Sequence, residues 1–432
     1  MHTYDMVGIG FGPANLALAI ALHETDSDLS IRFLEARPGP TWQSAMMLAG
    51  SDIQNHPVRD LVSLRNPRSR YSFINYLFEH DRLLAHLNLP REFPLRREYE
   101  QYICWAANDF ARLVEYQSYV TGIGTGRGDD GEPCYTVSTA AGAQYQARAL
   151  VLGTGRTPYL PAPLATLKSP RVFHLTEYLP ALDRLTAQGI ITDGRATPLD
   201  IAVVGGSQSA VELTLDLTRR FPTARVTIYV RPYSLRQKDT SPFSEEGYFP
   251  EFTDYYYRAP RHRKDALDSY LRLTNYSAAD GDVLRELYSL IYEQRLEGSQ
   301  RVFVRGSRQI RHADVDDTGV HLQIEELNTG EYEEVRADIV VLATGFRDLG
   351  PSEHQERVPP LLDDLAQQFA FDDQGYLEVS YDYEVQTSAA NTPPVFLNGL
   401  CESSHGIGDS GSFSLLSLRA EVIASGLRKR LR

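Results

Sequence analysis

Two glycine-rich turns are the features of this chain whose residue types and spacing most directly suggest chemistry. The stretches VGIGFGPANLALAIAL, from Val7, and IAVVGGSQSAVELTLDL, from Ile201, each run from an apolar strand through a turn into a helix. Glycines there let the backbone approach a pyrophosphate, and the N-terminus of the helix offers it free N–H groups and a partial positive charge. Each turn therefore predicts a dinucleotide site.

The first turn contains Gly8, Gly10 and Gly12, followed by Pro13. A match to this pattern is weak evidence by itself. It is strengthened by Glu35, which closes the next predicted strand 27 residues after Gly8. A carboxylate at that point accepts hydrogen bonds from a ribose, so we interpret the first unit as FAD-binding.

The second turn contains Gly205 and Gly206, but Ser207 stands where the fingerprint has its middle glycine. Arg231 follows Gly205 by 26 residues and is expected at the position that Glu35 occupies in the first unit. A carboxylate would repel a 2′-phosphate, whereas a guanidinium pairs with one. We therefore interpret the second unit as NADPH-binding. The alternative is that Arg231 is a solvated surface arginine.

The elements that must position these turns form two β-α-β units. YDMVGIG, NLALAIALHE and IRFLEARPG predict a strand, a helix and a strand around the first turn, and DIAVVGG, SAVELTLDLTRRF and RVTIYV repeat the pattern around the second. RREYEQYICWAANDFARLV predicts an amphipathic helix of about five turns. ADIVVLATGF repeats the pattern of ARALVLGTG and is expected to return the chain to the first domain.

These units predict an α/β fold in which two Rossmann-like dinucleotide-binding domains, for FAD and NADPH, face each other with the substrate site between them. Residues 1–160 are expected to form the first part of the FAD-binding domain. Residues 161–336 would form the NADPH-binding domain with a substrate-contacting insertion. Residues 337–432 would form the return to the FAD-binding domain and a closing helix.

Composition limits the functions that the chain can have. Its 432 residues suffice for two domains, and a formal net charge of −14 argues against nucleic acid as a partner. The three cysteines are far apart and form no C-x-x-C pair, and no apolar run reaches the ~18 residues that a membrane span needs. We expect a cytoplasmic protein without a membrane span or metal site. The sequence leaves open whether it forms a homo-oligomer.

Longer motifs carry a family resemblance over essentially the whole chain. They are GFGPANLALA, TWQSAMML, IQNHPVRDLVSLRNPRSRYSFINYL, GGSQSAVE, DTSPFSEEGYFPEFTDYYY, LTNYSAADGDVLRELYSLIYEQ, LATGF and ESSHGIGDSGSFSLLSLRAE. In these the chain resembles the microbial N-hydroxylating flavin monooxygenases, the L-ornithine N5- and L-lysine N6-monooxygenase family. The disulfide reductases of the same architecture need a redox cysteine pair that this chain lacks.

The resemblance implies cofactor contacts beyond the two turns. For FAD it implies the segment that contains Trp42 and Gln43, Gln54 beside the isoalloxazine, and a backbone contact of Val120 at the adenine end. For NADPH it implies Gln208 and Ser209. The remaining implied contacts are a loop between nicotinamide, flavin and substrate, made by Asn275, Tyr276 and Ser277, and a last flavin contact, made by Gly411, Ser412 and Phe413.

The resemblance also implies substrate contacts, at which this chain departs from the family. Ser414 matches a serine that binds the amino-acid substrate, and Asn275 is expected to orient the amine and the flavin. Arg59 stands where the ornithine enzymes have a lysine that binds the substrate carboxylate. Glu245 stands where the family has an asparagine. A carboxylate there would repel a substrate carboxylate and attract an ammonium group.

The function implied is FAD- and NADPH-dependent N-hydroxylation of the side-chain amine of L-ornithine or L-lysine by O₂. It would proceed through a C4a-hydroperoxyflavin and serve hydroxamate siderophore or related natural-product synthesis. Gln54 and Asn275 are the expected catalytic residues, and no residue stands out as a base for the amine. The alternatives are a diamine N-hydroxylase, favoured by Glu245 and opposed by Arg59, and a non-catalytic flavin-binding regulatory protein, for which Ser207 is the support.

Overall fold

Two large β-sheets and a small antiparallel one organise the protein, for which the computed structural model describes residues 2–25, 28–191, 198–389 and 391–431. The strands of the described residues are, in chain order, β1 (Thr3–Ile9), β2 (Ile31–Leu34), β3 (Val114–Glu115), β4 (Val120–Arg127), β5 (Pro133–Thr139), β6 (Gln144–Leu152), β7 (Val172–His174), β8 (Asp200–Val204), β9 (Arg225–Tyr229), β10 (Val302–Arg305), β11 (Arg308–Val315), β12 (Val320–Glu326), β13 (Tyr332–Ala337), β14 (Ile339–Leu342) and β15 (Val395–Leu397).

Helices cover and connect these sheets. The α-helices of the described residues are, in chain order, α1 (Pro13–Glu24), α2 (Phe73–Glu79), α3 (Leu83–Leu87), α4 (Arg96–Asn108), α5 (Ala162–Ala165), α6 (Tyr178–Ala187), α7 (Gln208–Arg220), α8 (Pro242–Glu245), α9 (Pro250–Arg258), α10 (Arg261–Leu271), α11 (Gly281–Leu296), α12 (Glu402–His405) and α13 (Leu416–Leu431). None of these helices is long and apolar enough to cross a membrane.

The first sheet has the strand order β3-β2-β1-β6-β5-β4, with β15 pairing β6. The apolar strand β1 lies between β2 and β6 and runs parallel to both, so that Gly8 is opposite Phe33 and Val151. The following helix, α1, is buried from Asn15 to Leu22 between this sheet and the C-terminal helix α13. A helix that is apolar on every face, as α1 is from Leu16 to Leu22, is stable only where it is covered on every side.

The second sheet has the order β10-β9-β8-β14-β7, and all of its strands are parallel. Its strand β8 and helix α7 repeat the arrangement of β1 and α1. The prediction that the stretch ADIVVLATGF belongs to the return into the first domain is wrong for β14, because Val340 pairs with Ala202 and Val172 in this second sheet. The rest of the predicted division into domains stays a prediction.

The helix predicted over RREYEQYICWAANDFARLV is shorter than five turns. It ends at Asn108, and the chain continues through a 3-10 turn into β3. Val114 is opposite Phe33 at the edge of the first sheet. This long-range pairing overrides the local helical periodicity of the last residues.

A buried ion pair joins the two halves of the molecule. Arg96, the first residue of α4, donates through Nη2 to Glu212 Oε2 of α7 at 3.0 Å, and both side chains are more than nine-tenths buried. Arg96 also donates to the backbone oxygens of Met46 and Asp52, at 2.8 and 3.1 Å. A buried charge of this kind is tolerated only while its partner is present.

We therefore expect Arg96→Met to lower the free energy of unfolding by about 3–5 kcal/mol, since it leaves the Glu212 carboxylate buried without a cation. The double variant Arg96→Met, Glu212→Met should recover most of that loss. Urea unfolding followed by circular dichroism measures both. Arg219, which pairs with the half-exposed Glu286, is the matched control, and Arg219→Met should cost less than about 1 kcal/mol. Equal losses for Arg96→Met and Arg219→Met would contradict the proposed coupling.

Candidate functional site

A cleft of about 2000 Å³ is lined by residues that follow the carboxyl ends of parallel strands in both large sheets. This volume exceeds the roughly 300–1,000 Å³ of a pocket for one small ligand. It contains most of the residues predicted from the sequence, namely Trp42, Gln43, Gln54, Arg59, Gly205, Gly206, Ser207, Gln208, Ser209, Arg231, Glu245, Asn275, Tyr276, Ser277, Gly411, Ser412, Phe413 and Ser414.

The remaining predicted residues surround the β1–α1 turn, outside the lining of that cleft. Gly10 has φ +82°, and a Cβ there would lie 2.7 Å from the backbone oxygen of Gly153. A Cβ on Gly8 would lie 2.3 Å from the ring of Phe33. Gly12, by contrast, has open space around it at the N-terminus of α1, where Pro13 begins the helix. This open, positively polarised cradle fits a pyrophosphate.

The Glu35 carboxylate is held by the backbone. Oε2 accepts from the Phe11 N–H at 2.7 Å, within the glycine turn, and Oε1 accepts from the Arg37 N–H at 2.9 Å. The backbone oxygen of Glu35 accepts from the Ser118 N–H, which brings Val120, two residues further on, to the same edge of the sheet. The carboxylate is therefore fixed beside the turn, as ribose binding requires.

The second turn repeats this construction. Gly205 has φ +138°, and a Cβ there would lie 2.2 Å from the backbone oxygen of Ala343. Ala343 N–H donates to Val204 O just as Gly153 N–H donates to Ile9 O in the first unit. Ser207 is the N-cap of α7, as Gly12 is of α1, so Gly205 is equivalent to Gly10 and the prediction that Ser207 replaces the middle glycine is wrong. The side chain of Ser207 makes no capping hydrogen bond. Its hydroxyl is thus free to face a phosphate.

Arg231 is displaced by one residue from the position predicted for it. Leu34 is opposite Ile9, and Tyr229 is opposite Val204, so the residue equivalent to Glu35 is Val230. Arg231 lies next along the chain, is exposed, and lines the cleft. Among the described residues it has no ion-pair partner, whereas Arg308 and Arg311 of the same cleft pair with glutamates. Arg231 is therefore a cation of the cleft that is available to a 2′-phosphate.

Three predicted contact residues have a left-handed backbone. Gln43 has φ +48°, Gln54 +52° and Ser277 +57°. Such values are uncommon outside glycine and cluster at binding and catalytic sites, where the surrounding structure holds them. All three residues line the cleft, so the strain coincides with the predicted flavin and nicotinamide contacts.

A hydrogen-bond network fixes Gln54 and Gln208. Gln54 Nε2 donates to the carboxylate of Asp280, and the Asp280 backbone N–H donates to Gln208 Oε1 at 2.8 Å. Gln208 Nε2 donates to Glu212, the partner of Arg96. Burial raises the pKa of Asp280, while Lys238, 3.9 Å away, lowers it. The network ties the expected flavin contact to the expected NADPH turn and leaves Gln54 Oε1 as the acceptor offered to a ligand.

Three of the four predicted substrate residues come together although they are far apart in sequence. Arg59 Nη1 donates to Ser414 Oγ at 3.1 Å and lies 3.7 Å from Glu245 Oε2. The Arg59 backbone oxygen accepts from the Tyr99 hydroxyl, and Ser412 Oγ donates to Ser414 Oγ at 2.9 Å. Burial raises the pKa of Glu245, and Lys238 and Arg59 lower it.

Aromatic rings cover one side of this group. Trp42 packs edge-on against Phe413, with ring centroids 5.2 Å apart, and Tyr99 packs against both. Phe413 and Ser414 are buried. These rings place the last predicted flavin contact directly beside the substrate residues and form an apolar wall there.

A second polar cluster of the cleft contains three residues that were not predicted from the sequence, together with Tyr276, which was. Arg156 Nη1 donates to the Tyr276 hydroxyl at 3.0 Å and to Asp348 Oδ1 at 2.8 Å, and it lies 3.4 Å from Glu402 Oε2. The Tyr276 hydroxyl donates to Glu402 Oε2 at 2.5 Å. The four residues come from four distant segments. Their only sequence signal is that Arg156 follows LGTG, Asp348 follows LATGF, and Glu402 begins ESSHG.

Comparisons with known proteins identify the family of this chain. The family model described as L-lysine 6-monooxygenase/L-ornithine 5-monooxygenase matches residues 2–348. An L-ornithine N(5)-monooxygenase of Burkholderia cepacia is 37% identical over 411 residues, which cover 93% of this chain and 90% of that protein.

Two solved structures are similar over nearly the whole chain. An ornithine N-hydroxylase of Kutzneria sp. 744, solved with reduced FAD, NADP⁺ and L-ornithine, has a TM-score of 0.89 at 31% identity and covers 99% of this chain and 100% of that one. An L-lysine 6-monooxygenase of Pseudomonas syringae has a TM-score of 0.84 at 33% identity, with the same coverage. Both likenesses confirm the predicted two-domain dinucleotide-binding architecture.

We expect Glu35→Ala to give protein that is depleted in flavin as purified. The variant lacks the carboxylate that would accept hydrogen bonds from the ribose, and it leaves the Phe11 N–H without its acceptor. The ratio of flavin to protein absorbance measures this. Glu35→Gln, which keeps an acceptor oxygen but not the charge, should retain more flavin than Glu35→Ala. An alanine variant that binds FAD as fully as the wild type would refute the role of Glu35.

We expect Arg231→Ala to raise the KM for NADPH by about 10- to 100-fold, which corresponds to the roughly 1.5–3 kcal/mol of a charge-assisted hydrogen bond. The KM for NADH should change far less, since NADH has no 2′-phosphate. Arg311, already paired with Glu325, is the control, and Arg311→Ala should affect NADPH less. Equal effects of Arg231→Ala on the two nucleotides would exclude this assignment.

Proposed function

The chain belongs to the L-lysine 6-monooxygenase/L-ornithine 5-monooxygenase family, and from that membership we propose that it hydroxylates the side-chain nitrogen of L-ornithine, with L-lysine as the second candidate. The observation that carries the choice of an amino acid is the group of Arg59, Glu245 and Ser414 in the cleft. The 37% identical relative, named for ornithine, supports ornithine before lysine.

The protein is an enzyme that uses FAD and NADPH. The β1–α1 turn with Glu35 fits FAD, and the β8–α7 turn with Gln208, Ser209 and Arg231 is proposed to hold NADPH. When bound, FAD reduced by NADPH supplies the activated oxygen from O₂. The residues of the chain bind, orient and shield the reacting groups.

Arg59 and Glu245 together match the zwitterion of an α-amino acid. Arg59 uses Nη1 for Ser414 and Glu245, and no hydrogen bond between described residues uses its Nη2 or Nε. These two donors form the planar fork that binds a carboxylate bidentately. Glu245 is then placed to accept the α-ammonium group next to that carboxylate. The pair carries no net charge and so complements a zwitterion.

A diamine fits this group less well. Its second ammonium group would gain Glu245, but it would also face the guanidinium of Arg59, which lies 3.7 Å from that carboxylate. A free carboxylate, in turn, would gain Arg59 and face Glu245. An α-amino acid with a side-chain amine satisfies both groups at once. This favours ornithine or lysine over putrescine or cadaverine.

The proposed roles of the other residues follow from their positions. The wall of Trp42 and Phe413 excludes water from the substrate end of the cleft, which protects an activated oxygen from wasteful release. Asn275 lies in the cleft beside Tyr276 and Ser277, and we assign it the orientation of the amine. Gln54, held by Asp280, offers its amide oxygen toward the flavin.

The proposal also covers the co-substrate, the fate of the product and the location of the protein. O₂ is the proposed co-substrate, and a hydroxamate siderophore or a related natural product is the proposed destination of the hydroxylamine. A cytoplasmic location is supported by three cysteines that are all unpaired. The suggestion of a homo-oligomer stays a prediction.

We expect the wild-type enzyme to hydroxylate L-ornithine or L-lysine well and putrescine or cadaverine poorly. Arg59→Ala should remove most of this discrimination, because an unpaired desolvated carboxylate costs about 2–5 kcal/mol. Hydroxylamine formation, measured across a panel of amines, tests both points. A wild type that prefers the diamine, or an Arg59→Ala variant that keeps the preference for amino acids, would overturn the carboxylate site.

The variant Glu245→Gln tests the proposed contact with the α-ammonium group of the substrate. It should raise the KM for L-ornithine and have much less effect on 5-aminopentanoate, which keeps the carboxylate and the side-chain amine but has no α-ammonium group. An equal rise for both compounds would show that Glu245 does not contact the α-ammonium.

A further inference from the structure

Glu402 is a buried carboxylate in the cleft wall to which the proposed function gives no role. It is the first residue of α12, and its side chain is 14% exposed. Oε2 carries both of its contacts, the hydrogen bond from Tyr276 at 2.5 Å and the approach of Arg156 at 3.4 Å. These contacts hold the carboxylate in one orientation.

The other oxygen of Glu402 is open. No hydrogen bond between described residues uses Oε1. This oxygen is also not fully buried. Since Glu402 lines the cleft, this oxygen is accessible to a bound ligand. A carboxylate with one fixed and one free oxygen is suited to exchange a proton at the free one.

Glu402 lies near the proposed substrate group. Its Oε2 accepts a hydrogen bond from Tyr276, which directly follows Asn275, the residue assigned to orient the amine. All three residues line the cleft. Arg156, the partner of Glu402, also lies beside Gly411, three residues before Ser414, where a Cβ would be 3.0 Å from its Nη2.

We propose that Glu402 accepts the proton of the substrate's side-chain ammonium group, a role that rests on the proposed N-hydroxylation. One N–H bond of the ammonium breaks, and its proton forms an O–H bond with Oε1 of Glu402. The electron pair of the broken bond stays on nitrogen. The products of this step are a neutral amine, which can attack an electrophilic oxygen, and a neutral carboxylic acid.

The acidity of Glu402 suits this step. Burial raises its pKa from an ordinary 4.5 to about 8, with opposing effects from its neighbours. This pKa is closer than that of an ordinary glutamate to the ~10.4 of a free lysine-like amine. Proton transfer from the ammonium group to Glu402 therefore costs less free energy. The histidines His174 and His405, whose pKa burial lowers to about 4, are weaker bases.

The titratable groups that face Glu402 are Arg156, Asp348, Tyr276, Asp409, Tyr248 and Tyr256.

The pH dependence of hydroxylamine formation tests the proposal. A group with a raised pKa must be ionised to accept a proton, so the wild-type rate should rise with pH through about 8. Glu402→Gln should lose this rise and form hydroxylamine about 100-fold more slowly at pH 7.5. Its rate should recover only as the pH approaches the ~10.4 of the free amine. A Glu402→Gln profile that matches the wild type would overturn the proposal.

Substitutions of two neighbours of Glu402 should shift the pH at which the rate rises, in opposite directions. If the rise instead came from titration of the substrate amine, neither substitution would shift it. Tyr276→Phe removes a hydrogen bond that lowers the pKa of Glu402, so the rise should shift to higher pH. Asp348→Asn removes a negative charge that raises it, so the rise should shift to lower pH. Each profile is normalised to its own maximum. Unshifted profiles in both variants would also overturn the proposal, even if Glu402→Gln failed to fold.

An infrared measurement on the holoenzyme separates this inference from the proposed function. The carbonyl band of a protonated carboxylic acid should disappear as the pH rises through about 8 in the wild type and be missing in Glu402→Gln. Absence of such a titrating band would refute the inference. A wild type that shows the band but forms no hydroxylamine from any amine would refute the proposed function instead, and the proton-acceptor role with it.

Discussion

The close approach of two pairs of backbone segments makes the rest of this structure possible. Gly10 passes the oxygen of Gly153, and Gly205 passes the oxygen of Ala343, at distances that leave no room for a Cβ. Each contact joins the turn after the first strand to the end of the neighbouring strand. The helix N-terminus is thereby set at the carboxyl edge of its sheet, where the dipole and free N–H groups face a ligand. Two such edges share one cleft, so that two dinucleotides can meet there.

The parts of this arrangement that depend on local sequence could be predicted, and those that depend on distant pairing could not. The two turns, Glu35 and the helices that follow the turns are encoded within about 30 residues each, so pattern and spacing identify them. The strand β14 was assigned to the wrong sheet because its apolar run is equally suitable for either. Arg231 was placed one residue off because spacing cannot give the register that pairs Tyr229 with Val204.

The polar groups of the cleft illustrate the same limit. Arg59, Glu245 and Ser414 were found singly, through resemblance, but their mutual contact was not predictable, because 355 residues separate Arg59 from Ser414. In the cluster of Arg156, Tyr276, Asp348 and Glu402, Tyr276 was predicted through resemblance and the other three residues were not. A buried ion cluster leaves no periodic pattern in sequence, since each member satisfies the others only in three dimensions. Burial then changes the chemistry of such a group, as the pKa of Glu402 shows.

The two departures from the family at the substrate group are best understood together. A lysine at position 59 would present one compact charge, and a glutamate at position 245 would occupy it. An arginine offers five donors on a planar fork, so it can contact Glu245 and Ser414 through Nη1 and still present Nη2 and Nε to a carboxylate. The exchange of lysine for arginine therefore accommodates the exchange of asparagine for glutamate. Under the proposed function, the site keeps a cation for the substrate carboxylate and gains an anion for the neighbouring ammonium group, and this geometry would select for a zwitterion.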